Sequence, residues 1–162
     1  MQPTVILKRP VHGLTSASVS RFIVAAARLA KLRGAVTVLL TSSKEVRALN
    51  LRFKGKDYAT DVLSFPAPVF AHGFAGDIVI SADIARKNAR GLRNSPTDEV
   101  KILALHGILH LAGYDHESDS GEMAEKEMRF RKRLGLPASL IERESGPANK
   151  PRKTPKPPRV RT

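Results

Sequence analysis

The sequence has no cysteine, which removes disulfides and thiolate chemistry and fits a reducing compartment. It also lacks any apolar run approaching the roughly 20 residues that cross a bilayer. Residues 1–13 hold only the short Val5-Ile6-Leu7 stretch where a signal peptide has its core. A cytoplasmic protein is expected. Acids are scarce: 15 stand against 28 lysines and arginines, giving a net charge of +13. Such an excess attracts polyanions, and nucleic acid rather than membrane, because no basic amphipathic helix stands out. No internal repeat divides the chain, and 162 residues, 41% of them hydrophobic, allow one domain with a sizeable core.

The charge is uneven. Residues 150–162 hold six cations (Lys150, Arg152, Lys153, Lys156, Arg159, Arg161) and no acid, so the rest of the chain still carries +7. Pro151, Pro155, Pro157 and Pro158 interrupt the same segment, and prolines cannot sustain a helix or a central strand. Two regions are therefore expected: a single catalytic domain over 1–143 and a disordered basic tail over 144–162. The tail is expected to add affinity for nucleic-acid phosphates without selecting a site.

Within the domain, residues 5–8 read as a strand, and Thr15 or Ser16 caps a helix carrying Val19, Phe22, Ile23, Ala26 and Ala30 at helical spacing up to Gly34. Residues 36–40 read as a buried strand. Ser43 can cap a helix with Val46, Leu49 and Phe53 that breaks at Gly55-Lys56-Asp57. Strands at 61–65 and 77–81 follow, separated by a loop of about ten residues marked by Pro66, Pro68 and Gly73. Asp77 reads as a turn cap at a strand start. Ser81 or Asp83 starts a polar helix ending near Gly91. Ser95-Pro96-Thr97-Asp98-Glu99 opens another, apolar on several sides and hence central, and residues 120–134 form a last amphipathic helix ending at Gly135. The expected fold is α+β, an α/β-layered arrangement of a small mixed sheet packed by helices. Strand order is not readable from this pattern.

The central helix carries the chain's most informative run, His106-Gly107-Ile108-Leu109-His110-Leu111-Ala112-Gly113-Tyr114-Asp115-His116. His106 and His110, four apart, share one helical face and can grip one ion. Gly113 lets the chain leave the helix so that His116 can swing round to the same ion. Three neutral imidazoles leave one position of a tetrahedral zinc open, as catalytic zinc requires, and one zinc per chain is expected. The spacing matches the metalloprotease pattern H-E-x-x-H-x-x-G-x-x-H except at Gly107, where those enzymes carry their general base. The metal ligands are kept and the protease base is missing. Glutamate at position 107 is expected to crowd the open metal position without creating a peptidase. His12 and His72 lack ligand spacing and read as surface residues.

Together with this run, Asp57-Tyr58-Ala59-Thr60-Asp61-Val62-Leu63-Ser64-Phe65-Pro66 and Gly76-Asp77-Ile78-Val79-Ile80-Ser81 resemble segments of the YbeY family of bacterial endoribonucleases. The resemblance in order and spacing spans residues 49–136. It implies a single-strand-specific, metal-dependent endoribonuclease acting in ribosomal RNA maturation, notably at the 3′ end of the small-subunit RNA, and in ribosome quality control. It also implies zinc held by His106, His110 and His116, with single-stranded RNA, ribosomal RNA or the small subunit as partner. The family usually has an arginine where this sequence has Lys54, which keeps the positive charge and loses the bidentate fork. Lys54 is then a candidate catalytic residue that neutralises charge on the phosphoryl oxygens of a scissile phosphate polarised by zinc. Either a metal-bound water or the RNA 2′-hydroxyl can be the nucleophile. Asp115 and Glu117, beside His116, are candidates for orienting ligands or moving protons. The alternatives are a non-catalytic, zinc-containing RNA-binding assembly factor and, further off, a metalloprotease.

Overall fold

Thr15, Ser42, Ser81 and Ser95 stand in extended backbone, and each side chain accepts a hydrogen bond from the amide three residues on. Each thereby satisfies an orphan donor at a helix start. The helices that follow are α1 (Ser16–Leu29), α2 (Ser43–Lys54), α3 (Ala82–Leu92) and α4 (Pro96–Leu111); α5 (Glu122–Leu134) comes last. The strands are β1 (Thr4–Leu7), β2 (Ala35–Thr41), β3 (Val62–Pro66) and β4 (Phe74–Ser81). This computed structural model describes residues 2–115 and 117–137. His116 and the basic tail lie outside the described residues, as does the boundary drawn at residue 143.

Ser42, rather than Ser43, caps α2, because the Ser43 amide and hydroxyl are both taken by the Asp83 carboxylate at 2.8 and 3.1 Å. α5 begins at Glu122, two residues later than its periodicity suggests. There Asp119 accepts from the amides of Gly121 and Met123 at 2.9 and 2.8 Å and ends the preceding turn.

The sheet runs β1-β2-β4-β3, with β1, β2 and β4 parallel and β3 antiparallel on the edge. β4 starts at Phe74, three residues before the expected strand, so Asp77 lies inside it opposite Phe65 and caps no turn. Pro66 belongs to β3 and shortens the loop to residues 67–73. Proline is tolerated there because the strand is an edge. The Asp61 carbonyl and the Ala67 amide bond β4 at 2.9 and 3.0 Å, so the alternate positions 62, 64 and 66 turn their backbone away from β4.

Alternation sorts the core into two parts. Val36, Val38 and Leu40 of β2 and Ile78 and Ile80 of β4 are buried against α1 and α4 in the main cluster. Leu63 and Val79 face the other way, onto Val46 of α2. The 36–40 strand is thus fully buried at alternate residues only, with burial pattern iBiBiBB over β2. α4 is buried at Glu99, at Val100 and from Ile102 through Leu109, and packs on β3, β4, α1, α3 and α5, which makes it the central helix. No helix among the described residues is long and apolar enough to cross a membrane.

Gly107 explains how α4 sits so close to the sheet. A Cβ at this position would lie 2.9–3.0 Å from three side-chain atoms of Ile78 on β4, and Ile78 is fully buried and cannot yield. Position 107 therefore points into the helix–sheet seam. Glutamate there would drive a carboxylate into the core, so the expected crowding of the metal position is replaced by a clash with β4. Gly107→Ala is predicted to destabilise the protein by about 1–3 kcal/mol. The cost should shrink in an Ile78→Ala background, read by urea denaturation as a double-mutant cycle. Equal costs in both backgrounds would contradict the seam.

Candidate metal centre and cleft

The seating of α4 leaves His106 and His110 on the flank beside that seam, where both line a cleft. Their Nε2 atoms lie 3.1 Å apart, with the rings edge to face at 4.7 Å between centroids. The separation is close to the roughly 3.3 Å expected of two nitrogens bound to one tetrahedral zinc. At the end of the helix the Gly113 amide donates to the His110 carbonyl at 3.0 Å and the Tyr114 amide to Leu109 at 3.1 Å. Gly113 takes φ +96°, a conformation that costs glycine little and lets the chain turn off the helix. Asp115 then organises the next turn: its carboxylate accepts from the Glu117 amide and the Ser118 hydroxyl at 3.1 and 3.2 Å. Among the described residues no set of three His, Asp or Glu side chains is placed to hold a metal ion. The third histidine of the motif, His116, is not among them.

His106, 4% exposed, is backed by charge. Its Nδ1 lies 3.6 Å from Glu127 Oε2 on α5, and Arg131 Nη2 donates to Glu127 Oε1 at 3.1 Å. Arg131 Nη1 donates onward to the Pro137 carbonyl at 2.9 Å. Burial pushes the Glu127 carboxyl up, but His106 and Arg131 outweigh it and hold the group below its ordinary value. A carboxylate behind Nδ1 favours the tautomer that leaves Nε2 as a lone-pair donor.

The histidine pair lines a cleft of about 670 Å³. One wall is built from Lys54, Lys56, Thr60, Asp61 and the outward positions Val62, Ser64 and Pro66 of β3; the other carries Tyr114, Asp115 and Glu117. The structure thus brings Lys54 and the histidines to one cleft. Lys54, the last residue of α2, holds its ammonium 5.3 Å over the Phe65 ring. Desolvation by the cleft wall, then repulsion from Lys56, lowers its pKa. Burial raises the Asp61 carboxyl above its ordinary value, against the opposing pull of His106 and the Val62 amide. Exposed His12 and His72 stay outside the cleft lining.

Sequence reasoning missed Glu127 and Arg131, read only as part of an amphipathic helix, and treated Asp61 as a strand start and Glu99 as a cap. Glu99 is completely buried, on the face of α4 two turns before His106. The signal for the α5 pair is its i,i+4 spacing, which is equally that of a solvent-exposed ion pair. Because Glu127 is fully buried, Arg131→Met is predicted to cost about 3–5 kcal/mol by leaving it without its charge partner. Chemical denaturation reads this, and a cost below about 1 kcal/mol would contradict the buried pair.

Comparison with known proteins agrees with this architecture. The family described as Endoribonuclease YbeY matches residues 12–135. An endoribonuclease YbeY from Koribacter versatilis is 54% identical over 146 residues, covering 90% of this chain and 95% of the relative. That of Helicobacter pylori strain 26695 is 46% identical over 108 residues, 67% of this chain and 77% of the relative. Among solved structures, a solution structure from Thermotoga maritima superposes with a TM-score of 0.56 at 31% identity, covering 94% of this chain and 99% of the other. With the family model spanning both walls of the cleft and the α4 histidines between them, the chain belongs to the YbeY endoribonuclease family.

Proposed function

We propose that this chain is a zinc-dependent endoribonuclease of the cytoplasm that cuts single-stranded RNA, acting in maturation of the small-subunit ribosomal RNA at its 3′ end and in ribosome quality control. The catalytic unit is the domain over 1–143, and the ribosomal small subunit or its RNA is the partner. The observation that carries this reading is the facing of the His106 and His110 Nε2 atoms, 3.1 Å apart, in a cleft that Lys54 and Lys56 also line. A nitrogen-donor pair backed by a carboxylate fits zinc, with His106, His110 and His116 as its holders and one ion per chain. When bound, zinc supplies Lewis-acid polarisation of a phosphoryl oxygen.

The chain's own side chains supply the rest. Lys54 and Lys56 put positive charge on the wall where an RNA backbone enters and draw a phosphate toward the histidines. Lys54 offsets charge that builds on the non-bridging oxygens as the phosphodiester bond breaks. Ser64 contributes a hydroxyl to the lining, together with a backbone amide turned away from β4. A peptidase reading draws no support from position 107, which faces the sheet.

Metal-loaded protein is predicted to cut an unstructured RNA internally, and His110→Ala to leave it intact. Lys54→Ala should slow cleavage by on the order of 10²-fold with an unchanged thermal melt, whereas Lys54→Arg should cleave at least as well as the parent. Gel analysis of end-labelled fragments reads all three. Cleavage by His110→Ala at the parental rate would mean a contaminating nuclease or a different site. Parental cleavage by Lys54→Ala would remove Lys54 from the machinery. An intact protein that binds RNA and never cuts it would support the non-catalytic assembly factor.

A further inference from the structure

The connection from α2 to β3 presents more than its lysines. The chain has only six phenylalanines and two tyrosines. Phe22 and Phe130, 8% and 6% exposed, belong to the main core, whereas Phe53 is 59% and Tyr58 54% exposed. These two flank Lys54 and Lys56, the pair that lines the cleft. Two aromatic rings more than half exposed beside a pair of cations are the combination that holds unpaired nucleotides, since every base offers a π-face and every phosphate a charge.

The segment is also held in place. Buried Asn50 donates from Nδ2 to the Tyr58 carbonyl at 2.9 Å. Arg47 grips Asp57 through Nε and Nη2 at 2.8 and 3.2 Å, so the only acid between residues 52 and 58 already has a cation beside it. Phe53 rests edge to face on Phe65, 5.6 Å between centroids, and the Arg52 guanidinium sits 5.2 Å over the Phe53 ring. A surface fixed before binding loses little entropy on taking a ligand. Cations on and beside the rings match a polyanion better than an apolar protein patch.

We propose that Phe53 and Tyr58 form a stacking platform for unpaired bases of the RNA strand whose phosphates enter the cleft along Lys54 and Lys56. The proposal rests on the cleft being an RNA site, and it assigns the platform to any base rather than to one sequence, since stacking does not read base edges. Double-stranded RNA, with its bases already stacked, cannot use it. The platform therefore selects for single strands before any bond is cut.

Binding to a 2′-O-methyl oligouridine, followed by fluorescence anisotropy and checked on a gel to stay intact throughout, separates this from cleavage. The control is the same strand with abasic sites at its centre. Phe53→Leu, which keeps an apolar contact for Phe65, and Tyr58→Leu should each weaken oligouridine binding by about 5-fold or more, given roughly 1–3 kcal/mol per stacked base. Binding of the abasic strand should equal the parent's. The protein has no tryptophan, so Phe53→Trp adds a sole indole, excited selectively over the two tyrosines, whose emission the oligouridine, and not the abasic strand, should quench. Parental affinity of both leucine variants for oligouridine, equal losses on the abasic strand, or unquenched Phe53→Trp at saturation would each overturn the platform. Cleavage that fails while quenching persists would strike the nuclease reading and leave the platform standing.

Discussion

The close seating of α4 on β4 governs this structure. With no side chain at Gly107, the helix lies directly on Ile78, where a Cβ would come within 2.9 Å. That contact sets the rotation of the helix about its axis, and hence the face on which His106 and His110 emerge. The same rotation buries Glu99 and turns His106 Nδ1 toward α5 and Glu127. A helix held 1 Å further out would keep its histidines, but not their relation to the wall that carries Lys54 and Lys56. Packing density, rather than any polar contact, is what registers the site.

The cleft is electrically divided. Behind the histidines lie carboxylates away from solvent, with Glu127 tied to Arg131 and Glu99 buried deeper along the helix. In front lie Lys54 and Lys56, opposite Asp115 and Glu117 at the other wall. The Glu127 carboxylate behind His106 Nδ1 orients that ring, and the positive charge of Lys54 and Lys56 in the lining favours a phosphate.

Much of this was legible in the sequence, and for local reasons. The order of strands and helices follows from capping residues and from periodicities of two and 3.6, which depend only on near neighbours. The histidine pair was legible because i,i+4 spacing fixes a shared face whatever the helix packs against. Sheet order was not, because β2 pairing with β4 across an intervening hairpin strand is a non-local choice. Phe74, Ala75 and Gly76 gave no alternation to extend β4, and their strand conformation comes from pairing with β2 and β3. Glu127 and Arg131 were illegible for a different reason. Their spacing is that of a solvated ion pair, and only the docking of α5 behind His106 makes them buried partners.

The central claim is that the α4 histidines hold a metal ion. It is tested most directly by elemental analysis of the full-length protein purified without added chelator, alongside His106→Ala/His110→Ala. About one zinc per parent chain, falling to a small fraction in a double variant that still melts cooperatively, is the predicted result. Stoichiometric zinc in the folded double variant would contradict the account and move the metal elsewhere.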